Sequence, residues 1–506
     1  MRRADYTVVI PTVGRASLRT LLDALLDAAA ADPGGAPAEI LVVDDRARPG
    51  APLPLPSAAG RDLRVLRSGG RGPAAARNVG WRAAATEWAA FLDDDVVPAP
   101  DWTAKAAADL ADQPGDVGGS QGAVAVPPPE GRRPTDWERG TAGLADASWI
   151  TADMAYRRRV LAEVGGFDER FRRAYREDAD LALRVMAAGH RLVRGARTVT
   201  HPVRPAGFWT SVRAQAGNAD DVLMRRLHGR DWRRRAGETP GRFRRHLLTT
   251  ASGLLAAAAY AAGGRRVALP AAVAWAGLTA EFAAARILPG PRTPGETARM
   301  VVTSAVIPPA AVWHRLRGLL AHARAGPWCG DRAVLFDRDD TLVRDVPYNG
   351  DPERVRPVPG AREALDRLRR RGVRIGVVSN QSGVARGLIT RADVRRVNER
   401  IEELLGPVDV WEICPHRPDD RCACRKPRPG LIERAARRLD VAPSRCVVIG
   451  DIGADMRAAQ AAGARGVLVP TARTRPEEIR DAPEVAPDLR AAVDRALALL
   501  AEGRPR

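Results

Sequence analysis

The chain has 506 residues and a formal net charge of +19, from 80 basic against 61 acidic side chains. That length implies two to four domains, each able to bury a core of its own, and 45% hydrophobic with 28% charged residues excludes wholesale disorder. Five cysteines, three of them clustered at Cys414, Cys422 and Cys424, do not suit a disulfide scaffold, and the polar start 1–5 running straight into 6–10 does not read as a signal peptide, so a cytoplasmic setting is expected.

The charge is unevenly spread. Residues 1–203 carry 27 basic and 27 acidic side chains, 204–330 carry 19 and 6, and 331–506 carry 34 and 28. The excess therefore sits in the middle, where no recognisable nucleic-acid-binding motif occurs, so nucleic acid is not the expected partner. Lys105 and Lys426 are the only lysines. Arginine supplies every other cation, which weakens the reading that any cation would serve at those two positions.

In chain order, apolar runs at 6–11, 38–43, 63–66 and 89–92 alternate with helical patterns, the signature of a parallel α/β domain. Leu41-Val42-Val43-Asp44-Asp45 places two carboxylates at a strand end, where open α/β sheets gather ligands. Phe91-Leu92-Asp93-Asp94-Asp95 places three at another; such a run repels itself unless it shares a cation, and a hard divalent metal bridging a diphosphate fits. The alternative is a solvated acidic turn. Glu177-Asp178-Ala179-Asp180 precedes a helical run at 181–188 and either holds a general base or caps that helix.

Together with Val8-Val9-Ile10-Pro11-Thr12, Ala75-Ala76-Arg77-Asn78-Val79-Gly80 and Gly165-Gly166-Phe167-Asp168-Glu169, these stretches resemble the family 2 glycosyltransferases. The resemblance covers about 1–203 and implies a GT-A nucleotide-diphospho-sugar transferase fold that transfers a sugar, with inversion, from a nucleotide-sugar donor to an acceptor. It implies nucleotide contacts for Asp44, Asp45, Arg77 and Asn78, Mn²⁺ or Mg²⁺ on Asp93 and Asp95, and Asp178 as base. The Gln-x-x-Arg-Trp segment of processive members does not follow Asp180, which points to a single-transfer enzyme. His201 is either a further metal ligand or a structural histidine.

Residues 204–330 form a basic, alanine-rich helical connector. Nine arginines lie between Arg225 and Arg245, followed by uncharged runs at 247–264, 267–280 and 300–313. Only the first reaches the ~18 residues of a span, and crossing there would place Arg265 and Arg266 opposite the nine arginines, against the positive-inside bias. An in-plane segment on an anionic membrane surface is expected, peripheral at the inner face; the alternative is a soluble packing layer. A linker is expected at 321–330.

A second α/β region follows, with strands at 333–336, 373–378, 408–413, 446–449 and 466–469. Phe336-Asp337-Arg338-Asp339 puts two carboxylates at alternate positions beyond a strand, one able to attack phosphorus while the other protonates the departing oxygen. Ser379 and Asn380 end another strand and Asp451 a third, with Asp455 beyond it, and Lys426 offers a fixed cation for a phosphoryl group. Cys414, His416, Cys422 and Cys424 have the donors of a closed, structural Zn²⁺ site holding the loop that delivers Arg425 and Lys426.

In this order the pieces resemble the haloacid dehalogenase superfamily, over about 331–475. That implies a Rossmann-like fold with little or no cap and a phosphoaspartate route with Mg²⁺. Asp337 would be nucleophile, Asp339 acid/base, and Asp337, Asp339 and Asp451 metal ligands, with Ser379, Asn380 and Lys426 on the phosphoryl group. Asn380-Gln381-Ser382-Gly383-Val384-Ala385-Arg386-Gly387 and the zinc loop narrow the resemblance to D-glycero-D-manno-heptose 1,7-bisphosphate phosphatases and related histidinol-phosphate phosphatases. It implies sugar-phosphate contacts for Arg386 and Arg425. Asp340 departs from the glycine usual in close relatives. The expectation is a two-enzyme fusion, 1–203 and 331–506 around the connector 204–330. The rival is a phosphatase carrying a degenerate, scaffolding transferase half.

Overall fold

Apolar runs that end in acidic residues become the parallel strands of two separate sheets. The computed structural model describes residues 5–56, 63–323, 325, 332–439 and 441–502. Gly326 and Pro327 of the expected linker, and Cys329, lie outside the described residues. The chain divides into two compact units, Met1–Ala325 and Gly326–Arg506.

In the first unit, β1 (Tyr6–Thr12), β2 (Glu39–Asp44), β3 (Leu63–Arg67), β4 (Trp88–Leu92), β5 (Val97–Pro98), β6 (Val117–Ala125), β7 (Asp153–Arg157) and β8 (Arg191–Thr200) make one sheet in the order β3-β2-β1-β4-β7-β6-β8-β5. β1 pairs in parallel with both β2 and β4, so the strand order switches direction there, where an open sheet leaves a crevice at its carboxyl ends. β7 runs antiparallel to β4 and β6. Val8, Ile10, Val42, Leu21, Leu22 and Leu25 pack one face of this sheet into a dry core. On the other face Gly80 lets the helix Pro73–Ala83 approach β1, since a Cβ there would sit 2.2 Å from Val9 Cγ1.

The middle segment folds as helices within this unit. Phe243–Ala261, Arg265–Ile287 and Pro294–Ala321 pack on one another, and Gly217–His228 packs on the last. Arg176 reaches Asp221 and Glu238 at 3.1 and 2.6 Å, His228 meets Asp180 at 2.8 Å, and Arg286 meets Asp136 at 2.8 Å. These bonds tie the helices to the sheet-bearing part instead of leaving them as a separate connector. The uncharged run at 247–264 is broken by the turn after Ala261. Among the described residues the one helix long and apolar enough to cross a membrane is Arg265–Ile287.

In the second unit, β9 (Ala333–Phe336), β10 (Arg374–Asn380), β11 (Val410–Cys414), β12 (Cys446–Gly450) and β13 (Arg465–Leu468) form an all-parallel sheet ordered β11-β10-β9-β12-β13. β9 lies between β10 and β12, again a switch point, and its end carries Asp337. From Arg338 to Gly360 the chain holds one short 3-10 turn, Pro352–Arg354, and isolated bridges, so no cap domain is inserted there.

The second half of the first sheet is held by a buried charge network. Arg197, fully buried, donates to Asp153 at 2.7 Å and to the Ser120 carbonyl at 2.5 Å, while Trp102 donates to the other Asp153 oxygen at 2.7 Å. Arg197→Met leaves Asp153 charged without its cation, and a loss of about 3–5 kcal/mol is expected from denaturant unfolding of the first unit.

Candidate active sites

The carboxyl ends of β1, β2 and β4 open into a cleft of about 1030 Å³ lined by Thr12, Arg15, Asp45, Arg77, Asp93, Asp94, Asp95, Glu177, Asp178, His201 and Arg204 among others. Most of its acids are matched by a cation or by hydrogen-bond donors. Arg77 is buried and spans Asp93 and Glu177 at 2.7 and 2.8 Å. Arg15 and Thr12 hold Asp94 at 2.6 and 2.7 Å. Arg204 is bonded to Asp95, and His201 Nε2 lies 3.7 Å from the same carboxylate. Asp45 accepts from Ser68 Oγ at 2.7 Å and from the backbone N–H groups of Arg71 and Gly72 at 2.9 Å.

Asp178 sits at the start of the helix Glu177–Ala187, on the cleft wall, and accepts from the Ala179 N–H at 2.7 Å. Burial raises its carboxyl above the ordinary aspartate range. Burial raises Glu177 as well, against the pull of Arg77. The segment delivering both turns at Arg176, whose φ of 79° lies in the left-handed region that most side chains avoid. Its guanidinium stacks on Tyr175 and Trp232 and is held by Asp221 and Glu238, which fixes that turn.

Two expected nucleotide contacts are placed elsewhere. Asp44 does not line the cleft; its carboxylate is held by Arg46 Nε and Nη2, both at 2.8 Å. Asn78 is fully buried: it donates to the Phe167 carbonyl and to Glu169, and accepts from Trp81 Nε1 and the Phe167 N–H, all between 2.8 and 2.9 Å. It secures the turn at Gly166, whose φ is 68° and where a Cβ would lie 2.5 Å from Asn78 Oδ1. Arg204 carries no signal in the sequence pattern, whereas Glu177 belongs to the acidic run that the sequence singles out.

In the second unit, Lys426 Nζ lies 2.6 Å from both Asp337 and Asp455 and donates to the Val378 carbonyl at 2.9 Å. Asp337, Asp451 and Asp455 bring ligand oxygens within 4.8 Å of one another. Burial pushes Asp337 up to about 7 against the pull of Lys426, and Asp451 up to about 8. Asp339, expected among the metal ligands, instead turns its carboxylate to Arg338 at 3.0 Å and to Gln381 Nε2 at 2.8 Å. Gln381 also donates to Ser379 Oγ at 3.0 Å, linking Asp339 to the end of β10. The Asn380 side-chain amide donates to the Lys426 carbonyl at 3.3 Å and accepts from the Lys426 N–H at 3.2 Å. Arg338 and Gln381 lay inside quoted motifs but no role was read for them.

Cys414, His416, Cys422 and Cys424 converge, with sulfur–sulfur separations of 3.4, 3.5 and 3.6 Å and Nδ1 of His416 3.3 and 3.6 Å from two of the sulfurs. These are near the edge lengths of a tetrahedron around a metal ~2.3 Å from sulfur. Arg425 donates to the His416 carbonyl at 3.4 Å, so it belongs to the cluster's loop, whereas Arg386 is exposed beyond Asn380. Among the described residues, this set and the Asp337 set are the groups of three or more clustered ligands.

Residues 7–181 match the model of glycosyl transferase family 2, and residues 423–493 that of the HAD-hydrolase-like family. A D-glycero-beta-D-manno-heptose-1,7-bisphosphate 7-phosphatase of Bordetella bronchiseptica is 36% identical over 149 residues, 28% of this chain and 83% of that protein. A D-glycero-alpha-D-manno-heptose-1,7-bisphosphate 7-phosphatase of Mycobacterium tuberculosis is 37% identical over 144 residues, 27% of this chain and 74% of that protein. Among solved structures, the B. bronchiseptica heptose bisphosphate phosphatase with magnesium and phosphate aligns at 31% identity over 33% of this chain and 98% of that one, TM-score 0.30. A mannosyltransferase of Pyrobaculum calidifontis with GDP-Man and Mn²⁺ aligns at 20% identity over 63% and 88%, TM-score 0.36. Two matched models in sequence, over two sheets with a catalytic-type acid cluster each, make this chain a glycosyltransferase of family 2 fused to a phosphatase that belongs to the heptose-1,7-bisphosphate phosphatase family of the HAD superfamily.

Proposed function

We propose that the second unit hydrolyses a D-glycero-D-manno-heptose 1,7-bisphosphate, and that the first transfers a sugar from a nucleotide-sugar, with inversion, to an acceptor hydroxyl. The observation that carries the phosphatase reading is the convergence of Asp337, Asp451, Asp455 and Lys426 at the switch point of a parallel sheet. Asp337 attacks phosphorus, the bond from phosphorus to the sugar oxygen breaks, and Asp339 protonates that oxygen. Asp339 then takes a proton from water as the water attacks phosphorus, releasing inorganic phosphate and restoring the Asp337 carboxylate. Asp337, Asp451 and Asp455 are hard oxygen donors that fit Mg²⁺, which when bound neutralises charge on the phosphoryl oxygens. Ser379 and Lys426 hold the phosphoryl group, and the open site leaves Arg386 and Arg425 to meet the rest of the sugar.

The phosphatase is tested by phosphate release from heptose 1,7-bisphosphate, histidinol phosphate and an aryl phosphate. The bisphosphate is expected to be the preferred substrate by kcat/KM, and equal rates would defeat the heptose assignment. Asp337→Asn is expected to abolish release. Lys426→Arg is expected to lower kcat about 10²–10³-fold, because a planar fork cannot direct its donors to Asp337, Asp455 and the Val378 carbonyl at once.

For the transferase, Asp178 takes the proton of the acceptor hydroxyl as its oxygen attacks the anomeric carbon and the bond to the nucleoside diphosphate breaks. Asp93 and Asp95 offer oxygens for Mn²⁺ or Mg²⁺; Arg204, whose side chain is 49% exposed, has room to yield Asp95 to a cation. Nucleotide release from a panel of nucleotide-sugars is expected to require Mn²⁺ or Mg²⁺ and to fall at least about 10²-fold in Asp95→Ala, whereas metal-independent release unaffected by that change would overturn the metal assignment.

The Cys/His set fits Zn²⁺ with no ligand position left for water, a structural role that fixes the loop carrying Lys426. Metal analysis of the purified chain is expected to find zinc, and Cys422→Ser is expected to lose it together with most phosphate release. Full zinc content in that variant would count against the site.

A further inference from the structure

Three helices of the first unit turn their apolar faces outward. On Phe243–Ala261, Leu247, Leu248, Leu254 and Leu255 are 47%, 59%, 67% and 52% exposed, and their spacing of one, seven and eight places them on one stripe. On Arg265–Ile287, Leu269 and Val273 are exposed four residues apart; on Pro294–Ala321, Val302, Trp313, Leu316 and Leu320 share a stripe. The opposite stripe of that third helix, with Thr303, Ser304, Ile307 and Ala311, is buried. The pattern inverts that of a soluble surface helix, and such an area of exposed leucine and tryptophan marks a surface that something apolar covers.

Its charge states what covers it. Arg242, Arg244 and Arg245 stand at the start of the first helix, Arg265 and Arg266 open the second, and Arg315 and Arg317 lie in the third. From 239 to 325 the only acids are Glu281 and Glu296. Glu281 is paired with Arg242 and Arg245 at 2.6 and 3.0 Å, and Glu296 accepts from the Asp136 N–H at 3.1 Å. Apolar stripes bounded by arginines that outnumber these two acids fit acyl chains beneath anionic headgroups.

We propose that these three helices form a docking layer that lies in the plane of an anionic lipid bilayer. A single span through Arg265–Ile287 explains less: it leaves the stripes of the other two helices in water and puts Arg265 and Arg266 on the side away from Arg242–Arg245's end of the layer. In the plane, Arg244 and Arg245 at the start of the first helix and Arg265 and Arg266 at the start of the second reach headgroups at once. The layer is bolted to the transferase cleft. Arg286 bonds Asp136 at 2.8 Å and Thr303 and Ser304 at 2.9 and 3.0 Å, and Arg139 donates to the Arg286 carbonyl at 2.7 Å. Asp136 and Arg139 belong to the helix Asp136–Ala142, whose Trp137, Gly140 and Thr141 line the cleft, so docking holds that cleft beside the lipid surface.

The full-length chain is floated with vesicles of phosphatidylglycerol and phosphatidylcholine, and with phosphatidylcholine alone. It is expected to float with the first, weakly with the second, and to be released by about 1 M salt, where screening leaves little headgroup attraction. Two variants separate the contributions: Arg244→Glu with Arg265→Glu and Arg266→Glu, and Leu248→Glu with Leu255→Glu and Trp313→Glu. Each is expected to lower the bound-to-free ratio at least about tenfold while keeping the parent's melting profile. Absence of flotation, parental binding by both variants, or residence that resists salt and yields only to detergent would overturn the proposal. So would a lipid-free dimer lost in the apolar variant, which would assign the face to a second copy of the chain.

Discussion

Lys426 lies 2.6 Å from Asp337 and from Asp455, and Arg77 spans Asp93 and Glu177 at 2.7 and 2.8 Å. In each unit one buried cation joins an acid at a strand end to an acid at the start of a helix. Both sites need carboxylates at the open end of a parallel sheet, and burial alone would protonate or scatter them. The cation opposes the burial that raises these acids and fixes the distance between strand and helix. Removing it would leave two buried acids facing one another, a cost of several kcal/mol in a molecule whose net stability is of that order. The sites are therefore part of what holds each fold together.

The two cations are not interchangeable. Arg77 must reach two acids from the side of a helix, and its planar fork presents separate nitrogens to each. Lys426 sits where three acceptors converge on one point, Asp337, Asp455 and the Val378 carbonyl, and an ammonium has three donors on one atom. In a chain that otherwise uses arginine almost without exception, this convergence accounts for a lysine at 426. The Cys/His cluster serves the same end, since Cys424 is two residues before Lys426 and its loop closes back on Asn380.

The strands β1–β4 and β9–β13 were legible to within two residues because most of them are apolar runs buried on both faces, β1, β2, β4, β9 and β12 throughout or nearly so. β6, β7 and β8 were not. β6 carries Gly118, Gly119 and Gly122, and β8 carries Arg191, Arg194 and Arg197, whose long side chains hide a strand period. Site acids were legible as strand-end clusters, but which of them face the cleft was not: Asp44 and Asp45 are neighbours, and alternation along the chain sends one to Arg46 and the other to the cleft. Asn78 is a different case, a motif position whose amide is taken up by the turn it secures. Arg204 could not be found by pattern, since it becomes part of the site through Asp95, which is distant in sequence.

Asp340 is the departure that most concerns the phosphatase. Its φ of 55° explains why glycine suits this position: the turn after Asp337 needs the left-handed region, and aspartate is among the few other residues that enter it at modest cost. Its extra carboxylate is also accounted for. One oxygen accepts from the Asp345 N–H at 2.9 Å, the other lies 3.5 Å from Arg473, and Arg473 is itself bonded to Asp345. Asp340 is thus drawn towards a surface arginine and is absent from the Asp337, Asp451 and Asp455 cluster. Its negative charge still reaches that cluster: burial, then the charges of Asp337 and Asp455, and last that of Asp340, raise Asp451. An exposed arginine offsets such a charge only in part, because water screens it more than it screens the buried acids. The pair Asp340–Arg473 consequently leaves the Asp337, Asp451 and Asp455 cluster intact while making its surroundings more negative.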